Sequence, residues 1–153
     1  MNFIQPLLLC LPAMLLLGCA SNTWADPLPI RTLVKGAFSG IQEPTQQIIR
    51  DKTIWDKTWA KHSANSKTAG KMPEVDFSKE MVIFVTMGRK STGGYSIQVT
   101  KVEPIGEKLR ITVSRTAPPA GAMTIQALTA PFQIVAVPKS DLSPEFVETE
   151  IKK

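Results

Sequence analysis

The sequence predicts an α+β fold, a mainly antiparallel, sandwich-like β-domain of about six strands with one N-terminal helix. Several segments alternate apolar with polar residues or are continuously apolar, whereas one segment has a helical period. The 12 prolines and nine glycines favour short elements joined by turns. The 153 residues, 43% of them hydrophobic and 20% charged, fit one globular domain of ordinary size.

The first part of the predicted domain contains the helix. Two short strands are predicted before it, at Ile30–Phe38 and Gln46–Ile49. Asp51 then provides an N-cap for a helix. Trp55, Trp59 and His62 fall on one face of that helix. We interpret His62 as a packing residue or as a charge that suits the helix dipole, rather than as a catalytic base.

The second part of the chain has the pattern of a sheet. Continuous apolar runs predict two strands that are buried on both faces, at Met81–Met87 and Phe132–Val137. Alternation predicts a half-exposed antiparallel hairpin from Tyr95–Thr100 and Leu109–Ser114. A candidate last strand lies at Phe146–Ile151, with its glutamates facing water.

The N-terminus resembles the signal of a bacterial lipoprotein. An apolar run without charge, too short to span a bilayer, ends in Leu16-Leu17-Gly18-Cys19-Ala20, which resembles a lipobox. That resemblance implies cleavage before Cys19 and lipidation of its thiol. We therefore expect a signal peptide at 1–18, a tether at 19–29 and a single β-rich domain at 30–153. The alternative is an uncleaved signal anchor with Cys19 as an ordinary thiol.

The lipobox also implies a location in the cell envelope. Ala20 and Ser21 follow the cysteine, and the absence of Asp there resembles lipoproteins sorted to the outer membrane, facing the periplasm or the cell surface. The net charge of +5 comes from scattered basic residues, which favours attraction to anionic lipid or wall polymer over a nucleic-acid partner.

The residue inventory argues against catalysis. One histidine and two cysteines remove most metal and nucleophile chemistry, and no Gly-x-Ser-x-Gly motif is present. We expect no catalytic residue, no metal and no cofactor, and a protein that is not an enzyme.

Two segments stand out as candidate binding loops. Gly88–Gly94 combines two cations, two hydroxyls and a glycine pair, and its alternative interpretation is a tight turn with a basic tip. Arg115–Pro131 has no strand pattern over 17 residues, and such long loops are often functional. Met123 either packs under that loop or offers a contact surface, whereas we expect Leu128 to fill the core. The candidate partner-binding residues are Arg89, Lys90, Thr92, Gly93, Gly94, Tyr95, Pro119, Gly121 and Met123.

These segments resemble the PrcB C-terminal domain family. The resemblance rests on Thr92-Gly93-Gly94-Tyr95, on Pro118-Pro119 with Gly121, and on Gln126–Phe132. It covers about residues 75–140 well and 44–74 loosely. It implies a non-catalytic, β-rich accessory module, with an exported protease among the implied partners, and it brings no catalytic residue.

Three functions remain open from the sequence. The first is a lipid-anchored accessory module that binds or stabilises an exported protein through the two loops. The second is a protease inhibitor of the chagasin type, and the third is an envelope hydrolase with a carboxylate pair. Loops clustered at one end of the sheet favour binding, whereas a deep acidic pocket favours the hydrolase. We further expect Tyr95 to be partly buried at the root of the first loop.

Overall fold

The computed structural model describes residues 26–64 and 70–152, and this part of the chain folds into seven strands and one helix. The elements in chain order are β1 (Arg31–Gly36), β2 (Thr45–Ile49), α1 (Lys52–Ser63), β3 (Glu80–Thr86), β4 (Ser96–Ile105), β5 (Lys108–Ala117), β6 (Phe132–Pro138) and β7 (Ser143–Lys152). Within the described ranges no helix is long and apolar enough to cross a membrane. The expected signal peptide and Cys19 lie outside the described residues.

The strands form two sheets. The first has the order β1-β6-β3-β2, and the second has the order β4-β5-β7. All pairs are antiparallel except β5–β7, which run parallel over ten consecutive residue pairs from Lys108↔Ser143 to Ala117↔Lys152. The sandwich-like α+β prediction is therefore confirmed in outline. The predicted number of about six strands was one too low, and the last strand pairs in the parallel sense.

The two sheets and the helix make three layers. Alternate residues of β3 and β6 pack against the second sheet, with Met81, Ile83, Val85, Val135 and Val137 on the first-sheet side of this core. The intervening residues of the same strands, Val82, Phe84 and Ile134, pack beneath α1. Because both faces of β3 and β6 are covered, their side chains are almost all buried, as the continuous apolar runs predicted.

The helix begins and ends at sites that the sequence marks. Asp51 Oδ1 accepts a hydrogen bond of 2.9 Å from the Ile54 N–H, which confirms the N-cap. At the other end the Gly40 N–H donates to the His62 carbonyl at 2.7 Å. A Cβ on Gly40 would lie 2.4 Å from the Lys61 carbonyl oxygen, so only glycine allows this approach.

His62 is a packing residue. Its side chain is fully buried, and its ring centroid lies 4.3 Å from that of Phe132 and 5.2 Å from that of Trp59. Its Nδ1 is 3.0 Å from the Ser39 hydroxyl oxygen, and its Nε2 is buried with no hydrogen-bond partner among the described residues. Burial lowers the pKa of His62 below its ordinary value of 6.5, because the charged imidazolium would lose its hydration.

This burial predicts a pH-dependent stability. The unfolded chain protonates His62 near pH 6.5 and the folded chain only below that, so acidification favours unfolding. We expect the free energy of unfolding to be highest above pH 6.5 and to fall by up to about 1.4 kcal/mol per pH unit until the folded pKa is reached. Urea titrations between pH 7.5 and 5 measure this. His62→Gln, which removes the one histidine of the chain, should flatten the profile; an unchanged slope would contradict the assignment.

Candidate functional site

The two candidate loops leave the sandwich at the same end. Loop 1 (Gly88–Gly94) connects β3 to β4, and loop 2 (Pro118–Pro131) connects β5 to β6. The end of β3 pairs with the start of β6 at Thr86↔Phe132, and the start of β4 pairs with the end of β5 at Ser96↔Thr116. These registers bring both loops to one end of the sandwich, so strand pairing within the two sheets makes the loops neighbours.

Hydrogen bonds join the loops into one surface. Lys90 and Thr129 exchange two backbone hydrogen bonds, of 2.7 Å and 2.9 Å. The Gly93 N–H donates to the Ile125 carbonyl at 3.0 Å, and the Thr129 hydroxyl donates to the Thr92 carbonyl at 2.8 Å. We call the combined surface of residues 88–94 and 118–131 the loop face. Its backbone is held from both sides, which gives it a defined shape.

The glycine pair of loop 1 allows this close contact. A Cβ on Gly93 would lie 2.5 Å from Ile125 Cγ1, a distance that real contacts do not reach. Gly94 has a φ of +87°, and a Cβ there would lie 3.0 Å from Pro118 Cβ. The glycines therefore serve the packing of the two loops against each other.

The loop face exposes apolar side chains. Met123 is fully exposed, and Ile125 and Leu128 are 68% and 58% exposed. Phe38, just after β1, adds a fourth apolar side chain, since it bridges to Ala130 and lines a small pocket together with Leu128. The expectation that Leu128 fills the core was wrong. The sandwich end beneath it is already closed by buried residues, which are Thr129, Ala130, Pro131 and Phe132.

Tyr95 lies at the root of loop 1, partly buried against the core between the sheets, as predicted. The Lys90 ammonium lies 5.5 Å from the centroid of the Tyr95 ring, within the range of a cation–π contact. Both side chains line a groove of about 470 Å³. This groove continues along the ends of β5 and β7.

The groove mixes charges of both signs. Arg115 donates to Glu148 at 2.6 Å, and Glu148 also accepts a hydrogen bond from the Gln46 amide of the facing sheet. Glu150 and Lys90 complete the charged lining. The hydrolase hypothesis requires a deep acidic cleft. This groove is half-open and contains as many cations as carboxylates, so it does not have the character of such a cleft. Across residues 26–64 and 70–152, no three potential metal ligands lie together.

The structure brings the predicted binding residues to one end of the domain, but they differ in how exposed they are to solvent. Arg89, Pro119, Gly121 and Met123 are exposed, whereas Gly93 is buried between the loops. The other members, Lys90, Thr92 and Tyr95, are half-buried, and Gly94 is exposed. Phe38 and Leu128 were missed as surface residues. Their apolar character is visible in the sequence, but the pattern alone does not show that they point outwards.

Comparison with known proteins returned one family. A family model described as PrcB C-terminal matches residues 81–138. The match runs from β3 through both loops to the end of β6, so it contains the whole loop face. No curated protein and no solved structure matches the chain.

The loop contacts predict unequal costs for two glycine substitutions. Gly94 and Gly121 both have positive φ, but a Cβ on Gly121 meets nothing within 4 Å. Gly121→Ala should therefore lower the free energy of unfolding by about 1 kcal/mol through backbone strain alone. Gly94→Ala adds the contact with Pro118 and should cost about 2 kcal/mol. Urea denaturation measures both values, and equal losses would show that the loops do not pack at Gly94.

Proposed function

We propose, because the PrcB C-terminal family model matches residues 81–138, that this chain is a non-catalytic accessory module that binds an exported protease of the bacterial envelope. The family supports a role in association with a protease complex. The observation that carries the proposal is the loop face, where two hydrogen-bonded loops present Met123, Ile125 and Leu128 to solvent.

The loop face has the physical properties of a docking surface. Contiguous exposed apolar side chains on a soluble domain mark sites of interaction, because their burial against a partner removes apolar area from water. The hydrogen bonds between the loops hold these side chains in place before binding, which lowers the conformational entropy lost on association. Loop 1 adds two cationic residues to the same end of the domain, the exposed Arg89 and the half-buried Lys90.

The loop face also suits a second candidate function. A protease inhibitor needs an exposed loop that enters the partner's cleft, and Met123 stands fully exposed near the middle of loop 2. Accessory binding and inhibition use the same surface, so an activity measurement separates them. An accessory module leaves cleavage of a small peptide intact or raises it, whereas an inhibitor abolishes it.

We further propose that Cys19 anchors the domain to the outer membrane through lipid. The proposal rests on the lipobox-like sequence Leu16-Leu17-Gly18-Cys19-Ala20. Acyl chains on this residue would contribute about 0.8 kcal/mol per buried CH2, so two or more chains give stable anchoring.

The loop-face proposal predicts that Ile125→Asp and Leu128→Asp, together, abolish capture of the protease from native membranes. Charged side chains at the centre of an apolar interface lose hydration without gaining a partner, so we expect at least about a hundredfold loss of binding. Cross-linking followed by mass spectrometry measures the capture. The rate at which the captured protease cleaves a small peptide then distinguishes accessory binding from inhibition.

The matched control is Ile54→Asp. Ile54 is also an exposed apolar residue, at 41%, but lies in the first turn of α1. This variant should retain the protease. Loss of capture in both variants, or in neither, would contradict the loop-face assignment.

The anchoring proposal predicts that Cys19→Ser abolishes incorporation of radiolabelled palmitate and moves the protein out of the outer-membrane fraction. The sulfur atom of the cysteine carries the lipid through a thioether bond, and serine has no sulfur to form that bond. Cys10→Ser is the control, because Cys10 lies within the expected signal peptide. Labelling that persists in Cys19→Ser would refute the anchor.

A further inference from the structure

The sheet edges differ in how well they are protected against pairing with another strand. The two sheets have four edges, formed by β1, β2, β4 and β7. An open edge presents unpaired N–H and C=O groups, and proteins protect edges with bulges, prolines, short strands or covering segments.

Three of the four edges carry such protection. β1 has a register shift between Thr32 and Val34, and β2 has five residues and follows Pro44 directly. β4 has a register shift between Val99 and Lys101 and contains Pro104. The Leu28 N–H also donates to the Val102 carbonyl at 2.7 Å, so the N-terminal segment lies along β4.

The outer edge of β7 has no bulge, proline or covering segment along most of its length within the described residues. The strand is ten residues long, its pairing with β5 has no register shift, and its only proline is its second residue, Pro144. Within residues 26–64 and 70–152, no backbone group outside β5 makes a hydrogen bond to it. β7 therefore presents a regular template for one more strand.

The side chains along this edge specify the chemistry of such a strand. Glu148 and Glu150 lie on the same face as Phe146, which packs into the core between the sheets. Val147 and Ile151 lie on the opposite face and are 37% and 49% exposed. Glu150 makes no ion pair with any described side chain. Opposite charges directly across neighbouring strands are stabilising and like charges are destabilising.

We propose that the outer edge of β7 accepts an extended, alternating segment of the partner protein, with Lys or Arg facing Glu148 and Glu150 and apolar residues facing Val147 and Ile151. This inference rests on the proposed function in taking the partner to be another polypeptide. A second copy of β7 fits less well. When two copies of β7 pair antiparallel with Thr149 opposite Thr149, Glu148 of each copy lies opposite Glu150 of the other. When Glu148 lies opposite Glu148, two identical carboxylates face each other, so both arrangements place like charges together.

The added strand would also reach the loop face. Glu148 and Glu150 form one wall of the groove that Lys90 and Tyr95 line from the root of loop 1. A partner segment on β7 therefore ends beside the loop face, and one partner can contact both surfaces.

The test uses the purified protein and a fluorescein-labelled 12-residue peptide that alternates Lys with Val and Thr. Fluorescence anisotropy should show saturable binding that weakens with salt. Glu150→Lys should weaken it about fivefold or more, since an attractive cross-strand pair becomes repulsive. Glu107→Lys, the same charge change in the exposed β4–β5 turn, should leave binding unchanged.

Two further peptides separate strand addition from general charge attraction. A version N-methylated at alternate residues cannot donate to an edge and should not bind. A version with Glu in place of Lys should bind only to Glu150→Lys. Equal binding of the methylated peptide, or equal losses in Glu150→Lys and Glu107→Lys, would overturn the proposal. Sedimentation that shows a dimer strengthened by Glu150→Lys would assign the edge to a second copy and also overturn it.

The loop-face variants distinguish failure of this inference from failure of the proposed function. Ile125→Asp with Leu128→Asp leaves β7 intact and should bind the cationic peptide normally. If the loop face captures the protease and the peptide does not bind, only the edge proposal is wrong. If the peptide binds and no protease is captured, the edge is a peptide site and the accessory function is wrong.

Discussion

The central strand pair β3–β6 is apolar on both faces, and the remaining elements are arranged to cover it. The two strands pair over seven residues, from Glu80↔Pro138 to Thr86↔Phe132. A strand pair that is buried on both sides needs two covering layers, because either exposed face would leave a row of apolar side chains in water. The tryptophan face of α1 supplies one layer, and the β4–β5 hairpin supplies the other.

One buried polar side chain links the two sheets through this apolar centre. Gln133 of β6 accepts a hydrogen bond of 2.7 Å from the Val99 N–H of β4, and its amide donates to the Thr32 hydroxyl at 3.1 Å. Val99 lies where the β4–β5 register shifts, so its N–H is available to a partner outside its own sheet. A buried amide left without partners is costly, and this requirement fixes how β4 lies over β6.

Much of this arrangement could be predicted from local patterns. The apolar runs identified β3 and β6, and Asp51 with the spacing of Trp55 and Trp59 identified the helix. The parallel pairing of β7 could not be predicted, since alternation shows which face of a strand is buried but not its neighbour or direction. The exposure of Leu128 was missed for a related reason. An apolar residue in a long loop fills the core only where space remains, and Thr129–Phe132 already occupy that space.

The register that closes the core also supports the loop face. Thr86, fully buried at the end of β3, donates its hydroxyl to the Pro131 carbonyl at 2.9 Å and accepts from the Gly88 N–H at 3.1 Å. The Met87 N–H donates to the same carbonyl at 3.0 Å. The first residue of loop 1 and the last of loop 2 are thus tied to the strand pair whose burial holds the domain together. Movement of the loop face as a unit requires breaking hydrogen bonds inside the core, so this surface is ordered without a partner.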